Sequence, residues 1–517
     1  MSRIIDTEVN SQVRSFSGDR DQWPHRVRTP RVIVIGAGVG GLASAISLAS
    51  RGAEVTLLDG AERPGGKLRE LSGGVDAGPT VFTMRFVFDQ LFAAAGTTLE
   101  RHLTLRPLDL LARHAWNHNE TLDLFADVDR SADAIGGFAG AAEAAGYRAF
   151  RARAAHVHRV LDAAFMQAQK PTALSLTAGA GLADMWRIAP FSTLWRSLGG
   201  YFRDPRLRQL FGRYATYSGS SPFQAPATLM LIADVEHQGV WTIDGGMARL
   251  AEAMTRLAVE RGTAVRANAR VAEILTRDGR ASGVRLADGE RIDADAVICA
   301  ADVAALSTGL LGPDVTRAVP RPRIARRSLS AVTWTVSTTT GGFPLSRHNV
   351  FFSGDYAAEF DAIFRRRALP AEPTVYVCAQ DRGDGDTTAA MDGPERLLIL
   401  INAPANGDHH SFTAAEFEQC ETATFGVLSR CGLTLDRGGA TVTTPSEFAR
   451  MFPATGGALY GQAVHGPMAA FRRPGARSAI PGLYLAGGSV HPGPGLPMAA
   501  LSGRLAADAM FQDLTSA

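Results

Sequence analysis

The earliest clear hydrophobic pattern in the chain predicts a strand, a helix and a second strand. Val32–Ile35 is a continuous apolar run, as expected for a buried parallel strand. Apolar residues then recur with helical spacing from Leu42 to Ala49, and Gly52 ends the predicted helix. A second apolar run, Val55–Leu58, predicts the next strand. This order of elements is typical of the start of a parallel α/β sheet.

Two later stretches of the chain have related patterns. In the middle, an apolar helical face is followed by three predicted strands, at 264–267, 270–275 and 296–300. Near the C-terminal end, the apolar run 483–486 leads through a Gly/Pro-rich loop into a helix that begins near Pro497. Both stretches are therefore candidates to add strands to the same sheet.

The turn between the first strand and its helix has the spacing of a dinucleotide site. Gly36, Gly38 and Gly41 follow a G-x-G-x-x-G pattern, and Asp59 ends the second strand. In this pattern the first glycine permits a tight turn, the second lets a pyrophosphate approach and the third lets the helix lie close to the strand. The helix N-terminus attracts phosphates, and a carboxylate about 20 residues further on can bind a ribose. The stretch therefore predicts dinucleotide binding.

The residues that follow Asp59 point to one dinucleotide in particular. Arg63, Gly65, Gly66 and Lys67 come next, where an ordinary NAD domain needs no such motif. They resemble the extended FAD fingerprint of the flavin amine oxidase superfamily, whose R-x-G-G-[RK] segment wraps the FAD pyrophosphate and reaches the flavin. The resemblance implies FAD as the cofactor, with Arg63, Gly66 and Lys67 in contact with it. Glu is more usual in that family where this chain has Asp59, and we expect the ribose contact to survive.

The same resemblance extends to the two later stretches. In the superfamily the residue that matches Val271 touches the adenine through its backbone, and core packing is the alternative role. We expect the loop at Gly488 to pass beside the flavin, and the helix near Pro497 to point its N-terminus at the flavin N1/O2 edge. The Met498 N–H would then donate to the flavin. His491 is the candidate proton acceptor, with a purely hydrogen-bonding role as the alternative.

Together these patterns predict an α/β fold with a Rossmann-type FAD-binding domain that is assembled from three chain segments. A substrate domain of α+β type is expected to be inserted between the segments. The FAD-binding segments are placed at 31–98, 236–310 and 456–517, the substrate domain at 99–235 and 311–455, and a disordered tail at 1–30.

Two further motifs narrow the family. Asp76–Thr80 reads D-A-G-P-T, and His491–Pro497 reads H-P-G-P-G-L-P. Both resemble the carotenoid and phytoene desaturases, and most of all the bacterial 1-hydroxycarotenoid 3,4-desaturases. The resemblance implies that an acyclic 1-hydroxy or 1-methoxy carotenoid is desaturated at C-3,4 by hydride transfer to the flavin. It is strong in the FAD segments and faint in the substrate domain, so phytoene desaturation or another oxidase activity stays open.

Two other functions on the same fold are alternatives. Amine oxidases use a lysine in the substrate half, whereas the lysines of this chain are Lys67 and Lys170 alone. They also place an aromatic residue in the C-terminal flavin motif, where this chain has Leu496, Pro497 and Met498. GDP-dissociation inhibitors and Rab escort proteins bind prenyl groups without catalysis, but they lack the intact flavin-wrapping segment. A colourless purified protein would favour such a binding role.

A carotenoid substrate implies contact with a membrane. Moving about 40 carbons into water, at about 0.8 kcal/mol per CH₂, costs on the order of 30 kcal/mol. We therefore expect the protein to take its substrate directly from the cytoplasmic side of the inner, photosynthetic membrane. The docking segment, Gly181–Phe202, alternates apolar and aromatic residues with Arg187 and Arg196, as interfacial helices do. The alternative is a core helix pair that bends at Pro190.

Composition excludes several other functions. The formal net charge of +2 gives no support for nucleic-acid binding. The four cysteines are widely spaced, and the histidine pairs at 156–158 and 409–410 have no matching third ligand, so no metal site is predicted. No apolar run is long enough to span a bilayer. Protein partners cannot be predicted from these features.

Overall fold

The computed structural model describes residues 29–71, 73–172, 191–321, 323–383 and 393–515. The expected N-terminal tail, apart from residues 29 and 30, and the first ten residues of the docking segment lie outside these ranges. The helices are α1 (Val39–Ala49), α2 (Arg85–Ala94), α3 (Val128–Ala139), α4 (Ala141–Leu161), α5 (Leu194–Leu198), α6 (Pro205–Gly212), α7 (Leu231–His237), α8 (Ala248–Glu260), α9 (Val303–Ser307), α10 (Tyr356–Asp361), α11 (Ala414–Arg430), α12 (Pro445–Met451) and α13 (Leu496–Thr515).

The strands divide between a parallel sheet, a larger mostly antiparallel sheet and several small ones. They are β1 (Arg31–Ile35), β2 (Glu54–Leu58), β3 (Glu70–Leu71), β4 (Val75–Asp76), β5 (Phe82–Thr83), β6 (Leu105–Pro107), β7 (Leu110–Asn117), β8 (Glu120–Phe125), β9 (Val240–Ile243), β10 (Ala264–Arg266), β11 (Val271–Arg277), β12 (Arg280–Leu286), β13 (Arg291–Asp293), β14 (Ala296–Cys299), β15 (Ser330–Thr338), β16 (Thr340–Gly342), β17 (His348–Phe351), β18 (Val375–Ala379), β19 (Glu395–Ala403), β20 (Leu433–Leu435), β21 (Thr441–Thr443) and β22 (Leu483–Leu485).

The parallel sheet has five strands in the order β10-β2-β1-β14-β22. Every neighbouring pair in it is parallel. Ile35 pairs with Leu58 on one side and with Cys299 on the other, so three strands end at one edge. In open α/β sheets, ligands bind beyond the carboxyl ends of the strands. The predicted α/β fold with a FAD-binding domain built from three separate parts of the chain is confirmed.

Two helices that are far apart in the chain hold the parallel sheet together. Helices α1 and α13 pack side by side on one face of it, within a core that also includes α2 and α8. The Ser44 hydroxyl donates to the backbone oxygen of Gly503 at 3.2 Å, across 459 residues of chain. On the other face lies a second apolar core, which contains residues of the small sheet β11-β12-β13.

The inserted domain is built on a seven-stranded sheet in the order β21-β15-β19-β18-β17-β7-β8. Its strands are antiparallel except for the pair β7–β17. Alternate residues of β18 face opposite sides: Val375 and Val377 pack in a core with α11, whereas Tyr376 and Cys378 pack in a core with α3, α4, α5 and α6. This two-sided arrangement is the α+β substrate domain that the fold class predicts.

The described half of the docking segment differs from its prediction. Leu194, Leu198 and Phe202 are buried among the substrate-domain helices, and the Trp195 ring lies 4.7 Å from the ring of Phe223. The expectation that these residues face a membrane is therefore wrong for the three that are buried. Helical spacing of apolar residues is the same for an interior face and an interfacial one, which explains the error. Within the described ranges, none of the helices combines the length and apolarity needed to cross a bilayer.

Candidate active site

One large cavity joins the carboxyl edge of the parallel sheet to the seven-stranded sheet. Its volume is about 1770 Å³. Single ligand pockets usually measure roughly 300–1,000 Å³. The cavity therefore has room for a cofactor and a second large molecule. Its walls come from both domains, with the glycine loop after β1 at one end and side chains of β18 and β19 at the other.

The glycine loop has the geometry that its spacing predicts. Gly36 has φ +95°, a backbone conformation that favours glycine. A Cβ on Gly41 would lie 1.8 Å from the Gly36 backbone oxygen, so α1 can approach β1 only with glycine there. Gly36 and Gly38 line the cavity. Because α1 begins at Val39, its first N–H groups have no partner within the helix and point toward this space.

The Asp59 side chain is hydrogen-bonded to the same loop. One of its carboxylate oxygens accepts from the Ala37 N–H at 2.5 Å, and the other accepts from the Ala61 N–H at 2.8 Å. The side chain is half-buried and lines the cavity. Each carboxylate oxygen has a further lone pair, so Asp59 can still accept from a ribose hydroxyl. The ribose role of Asp59 stays a prediction.

The flavin-wrapping segment packs directly on the glycine loop. Gly65 forms a parallel bridge with Gly38, and its N–H donates to the Ala37 oxygen at 2.9 Å. Gly66 is exposed with φ +60°, and Arg63 is exposed at the cavity wall. The structure therefore brings both motifs of the first segment into one surface.

Lys67 lies deeper in the cavity than a surface lysine would. Its ammonium group donates to the Leu459 backbone oxygen and lies 5.2 Å from the centre of the Phe452 ring. Burial lowers the pKa of Lys67; nearby Asp302 opposes this shift and nearby Arg473 adds to it. The side-chain nitrogen of Lys67 is therefore a hydrogen-bond donor held inside the site.

The third chain segment completes the cofactor end of the cavity. Gly488 lines it, and its backbone oxygen accepts from Arg473 at 2.9 Å. Arg473 is buried and also donates to the backbone oxygens of Tyr460 and Gln462. Burial lowers the pKa of Arg473 to about 10, which still leaves it charged at neutral pH. Arg473 was missed by sequence reasoning, because it belongs to no recognised motif and other arginines lie near it in the chain.

The N-terminus of α13 faces the same space. Met498 lies in the first turn of the helix and lines the cavity together with the loop 492–495. The Ala499 N–H is already taken by the Gly495 oxygen at 2.9 Å. The Met498 N–H belongs to the first turn, whose N–H groups have no partner within the helix. Its placement suits the predicted contact with the cofactor, and that contact stays a prediction.

Val271 and His491 have different relations to the cavity. Val271 is buried and lines the cavity beside Asp59 and Gly60. His491 is buried behind the loop, where its Nε2–H donates to the Ala168 oxygen at 3.0 Å and its ring lies 4.9 Å from that of Phe165. Burial lowers the pKa of His491 to about 4. This geometry favours a positioning role, and catalysis by His491 stays a prediction.

These residues fit FAD. The glycine loop and the start of α1 suit a pyrophosphate, and Asp59 and Val271 lie together where a ribose and adenine would extend. Lys67 and the first turn of α13 line the same cavity. The expected direction of the cofactor, from the glycine loop toward these residues, stays a prediction.

The substrate-domain end of the cavity is mostly apolar. Its walls include Leu229, Leu231, Ile232, Val235, Leu398, Leu400 and Phe471. A charged and aromatic group among its polar lining residues consists of Arg213, Tyr217, Glu236 and Tyr376. This group was also missed by sequence reasoning, because its members come from separate elements and only the fold brings them together.

Comparison with known proteins agrees with this site. Residues 39–511 match the model of the family described as flavin containing amine oxidoreductase. The chain is 55% identical over 499 residues to the hydroxyneurosporene desaturase of Rubrivivax gelatinosus, with 95% of each chain covered. It is 48% identical to the enzyme of that name from Cereibacter sphaeroides, with 94% of this chain and 98% of that one covered.

The chain therefore belongs to the flavin-containing amine oxidoreductase family. Within that family it belongs to the carotenoid desaturases; its cofactor is FAD, and it is an oxidoreductase that acts on CH–CH groups. Among solved structures, cyclohexylamine oxidase from Brevibacterium oxydans has the same fold, with a TM-score of 0.55 and 17% identity over 94% of this chain and 100% of that one.

Proposed function

We propose that this protein introduces the C-3,4 double bond into an acyclic 1-hydroxy or 1-methoxy carotenoid. The observation that carries the proposal is the single cavity that joins the FAD loops to a long apolar space. Two relatives named hydroxyneurosporene desaturase, each matched over almost the whole chain, support the same substrate class.

Desaturation removes a hydride and a proton from adjacent carbons. FAD supplies the hydride acceptor when it is bound. The allylic position lets the polyene spread the positive charge that hydride loss creates, so no strong nucleophile is required of the protein. The chain must hold one C–H bond in place and keep water out.

The cavity walls perform these two tasks. Leucine, isoleucine and phenylalanine side chains from α7, β19 and the loop near residue 471 surround the polyene and exclude water. At the cofactor end, Arg473 is a buried cation, the Lys67 nitrogen is a hydrogen-bond donor, and the first N–H groups of α13 add positive potential. These charges stabilise negative charge that arrives on that side during the reaction.

Substrate uptake from a membrane is part of the proposal. Phe191, Ile324 and Met468 are 83%, 48% and 42% exposed, and we name them the docking patch. Backbone hydrogen bonds link the segments that carry them: Ala227 N–H to the Ser192 oxygen, and Gly466 N–H to the Gln224 oxygen.

The docking patch lies near the cavity wall and among positive charges. Pro226 and Pro467, next to these linked segments, line the cavity. The Ala463 N–H donates to the Arg326 oxygen, which joins the Ile324 segment to the same region. Arg323 and Arg472 are exposed there. Exposed apolar side chains among arginines suit an anionic lipid surface, so we place the protein peripherally on the cytoplasmic side of the inner membrane.

The test uses the FAD-loaded protein with three carotenoids in liposomes: neurosporene, 1-hydroxyneurosporene and phytoene. Each added double bond lengthens the conjugated system, so the absorption spectrum of the product reports the reaction. A spectral shift with 1-hydroxyneurosporene alone supports the proposal. Conversion of phytoene would replace it with a general phytoene desaturase function.

A further inference from the structure

Arg213 is a charged side chain in the largely apolar substrate half of the cavity. Its guanidinium lies against the faces of two aromatic rings, 5.4 Å from the centre of Tyr217 and 5.3 Å from that of Tyr376. The side chain lines a cavity whose other walls are largely apolar. Cation–π attraction to two rings favours this position of the guanidinium, and its N–H groups can still donate hydrogen bonds.

Glu236, a carboxylate that lines the same cavity, already accepts hydrogen bonds from other donors. Glu236 accepts from the Tyr214 hydroxyl at 2.8 Å and from the Tyr217 hydroxyl at 2.7 Å. Arg213 donates only a long hydrogen bond, 3.4 Å, to the Tyr217 oxygen. Among the residues that the structure describes, no carboxylate lies within ion-pair distance of Arg213. A charged group with free donors beside an apolar space is costly unless a ligand accepts from it.

Contacts place Arg213 toward the cofactor end of the cavity. The Tyr376 hydroxyl, whose ring stacks on Arg213, is 2.7 Å from the Thr80 hydroxyl. Thr80 closes the D-A-G-P-T motif, and Gly78 of that motif lies so close to Lys67 that a Cβ would be 1.9 Å from the Lys67 backbone oxygen. Arg213 is therefore connected through Tyr376 and the D-A-G-P-T motif to the segment expected to wrap the flavin.

The position of Arg213 determines which atom of the proposed substrate it can contact. In a 1-hydroxy or 1-methoxy carotenoid, the oxygen on C-1 is separated from C-3 by only two carbon–carbon bonds. A group that recognises this oxygen must therefore lie close to the place where C-3 and C-4 react. Among the other polar groups, the Tyr376 hydroxyl is shared by Thr80 and by His348 at 2.7 Å. The Tyr356 hydroxyl also lines the cavity and has no hydrogen-bond partner among the described residues, so it is the alternative donor.

We propose that Arg213, held between Tyr217 and Tyr376, donates a hydrogen bond to the C-1 oxygen of the substrate and so determines specificity for oxygenated carotenoids. The inference rests on the proposed function and names a residue that enforces it. A guanidinium only donates, and both a hydroxyl and a methoxy oxygen accept. One residue thus accounts for both substrate types.

The test compares three carotenoids with the FAD-loaded protein in liposomes: 1-hydroxyneurosporene, 1-methoxyneurosporene and neurosporene. The variants are Arg213→Met, which keeps length and removes the donors, and Arg213→Lys, which keeps the charge without the planar fork. The matched control is Arg208→Met, because Arg208 also stacks on an aromatic ring, that of Trp195 at 4.8 Å, but outside the cavity wall. FAD content and the melting temperature are measured for every variant.

We expect Arg213→Met to reduce the preference for oxygenated over plain carotenoid, measured as the ratio of kcat/KM values, by at least about tenfold. The loss should fall mainly on KM and should be equal for the hydroxy and methoxy substrates. Arg208→Met should leave the ratio unchanged. If Arg213→Met fails to retain FAD, Arg213→Lys replaces it as the test of substrate recognition. The lysine variant should raise KM for the two oxygenated substrates only.

Two results would overturn the inference while leaving the proposed function intact. In the first, the wild-type protein prefers oxygenated substrates and Arg213→Met keeps that preference. In the second, only the hydroxy substrate is affected, which would mean that an acceptor such as Glu236 recognises the hydroxyl. A wild-type protein without any preference for oxygenated carotenoids would instead reject the proposed function itself.

Discussion

The side-chain nitrogen of Lys67 donates a hydrogen bond to the backbone oxygen of Leu459, which ties the first predicted FAD-binding segment to the start of the third. The same lysine has the negative charge of Asp302 and the positive charge of Arg473 as neighbours. Lys67 therefore joins two parts of the cavity wall, and its contact with the cofactor stays a prediction that substitution can test.

We expect Lys67→Met to weaken FAD retention by roughly tenfold, about 1.4 kcal/mol, because a charged donor is lost from the site. Lys67→Arg should recover part of this affinity. The measurement is the dissociation constant of FAD from flavin fluorescence. The control is Lys170→Met, which removes the only other lysine of the chain, an exposed one. Equal FAD affinity in Lys67→Met and wild type would contradict the predicted contact between Lys67 and FAD.

A substitution in the first turn of α13 should change the redox potential of the flavin. Met498→Pro removes one backbone N–H at a position where a helix tolerates proline. Loss of one donor to the reduced cofactor should lower the potential by about 30 mV, since this corresponds to about 1.4 kcal/mol for a two-electron couple. Met498→Ala keeps the N–H and should leave the potential unchanged, as measured by dye-coupled reduction. An unchanged potential in the proline variant would contradict the predicted hydrogen bond from the Met498 N–H to the flavin.

The role of His491 can be decided by a pair of variants. Burial lowers its pKa from 6.5 to about 4, so it is neutral throughout the physiological range. If it only positions the loop, His491→Asn should keep most of the turnover, because the amide N–H can donate to the Ala168 oxygen, whereas His491→Phe should not. FAD content should change little in either variant.

A catalytic role would give a different pH dependence. A base with a pKa of about 4 is protonated below that value, so turnover would fall as the pH drops through about 4. That acid limb should disappear in His491→Asn, along with most of the turnover. The pH profile of kcat/KM therefore separates the two roles.

Membrane attachment should depend on the docking patch. Phe191→Ser combined with Met468→Ser should reduce liposome association by at least about tenfold, because each buried apolar side chain contributes about 1.5–3 kcal/mol. FAD content should stay the same. The matched control is Val259→Ser, an exposed apolar residue (54%) at the end of α8. Unaltered flotation of the double variant would show that another surface binds the membrane.

Trp195→Ser is a poor probe of docking, because the Trp195 ring packs on Phe223 and Arg208 and its loss would loosen the substrate domain.

The cofactor half of the protein could be predicted from the sequence, but the substrate half could not. Buried parallel strands read as short apolar runs, and the glycine loop needs fixed residue types, so β1, β14 and β22 were identifiable in advance. The strands of the seven-stranded sheet are mostly paired across long intervals, and no local pattern specifies those pairings. Arg213 and Glu236 meet only after this sheet and its helices have come together.

The three-segment sheet also affects when the protein can acquire its cofactor. Strand β22 and helix α13 belong to the same sheet and core as β1 and α1, although Ser44 and Gly503 are 459 residues apart in the chain. Contacts across such separations form late, because the loop between them must first be closed. During synthesis, the glycine loop and α1 are therefore made before α13, and they lack their contacts with it while nearly all of the substrate domain is translated. We expect stable FAD binding only after α13 has been synthesised and has packed against α1, so that flavin content reports completed folding.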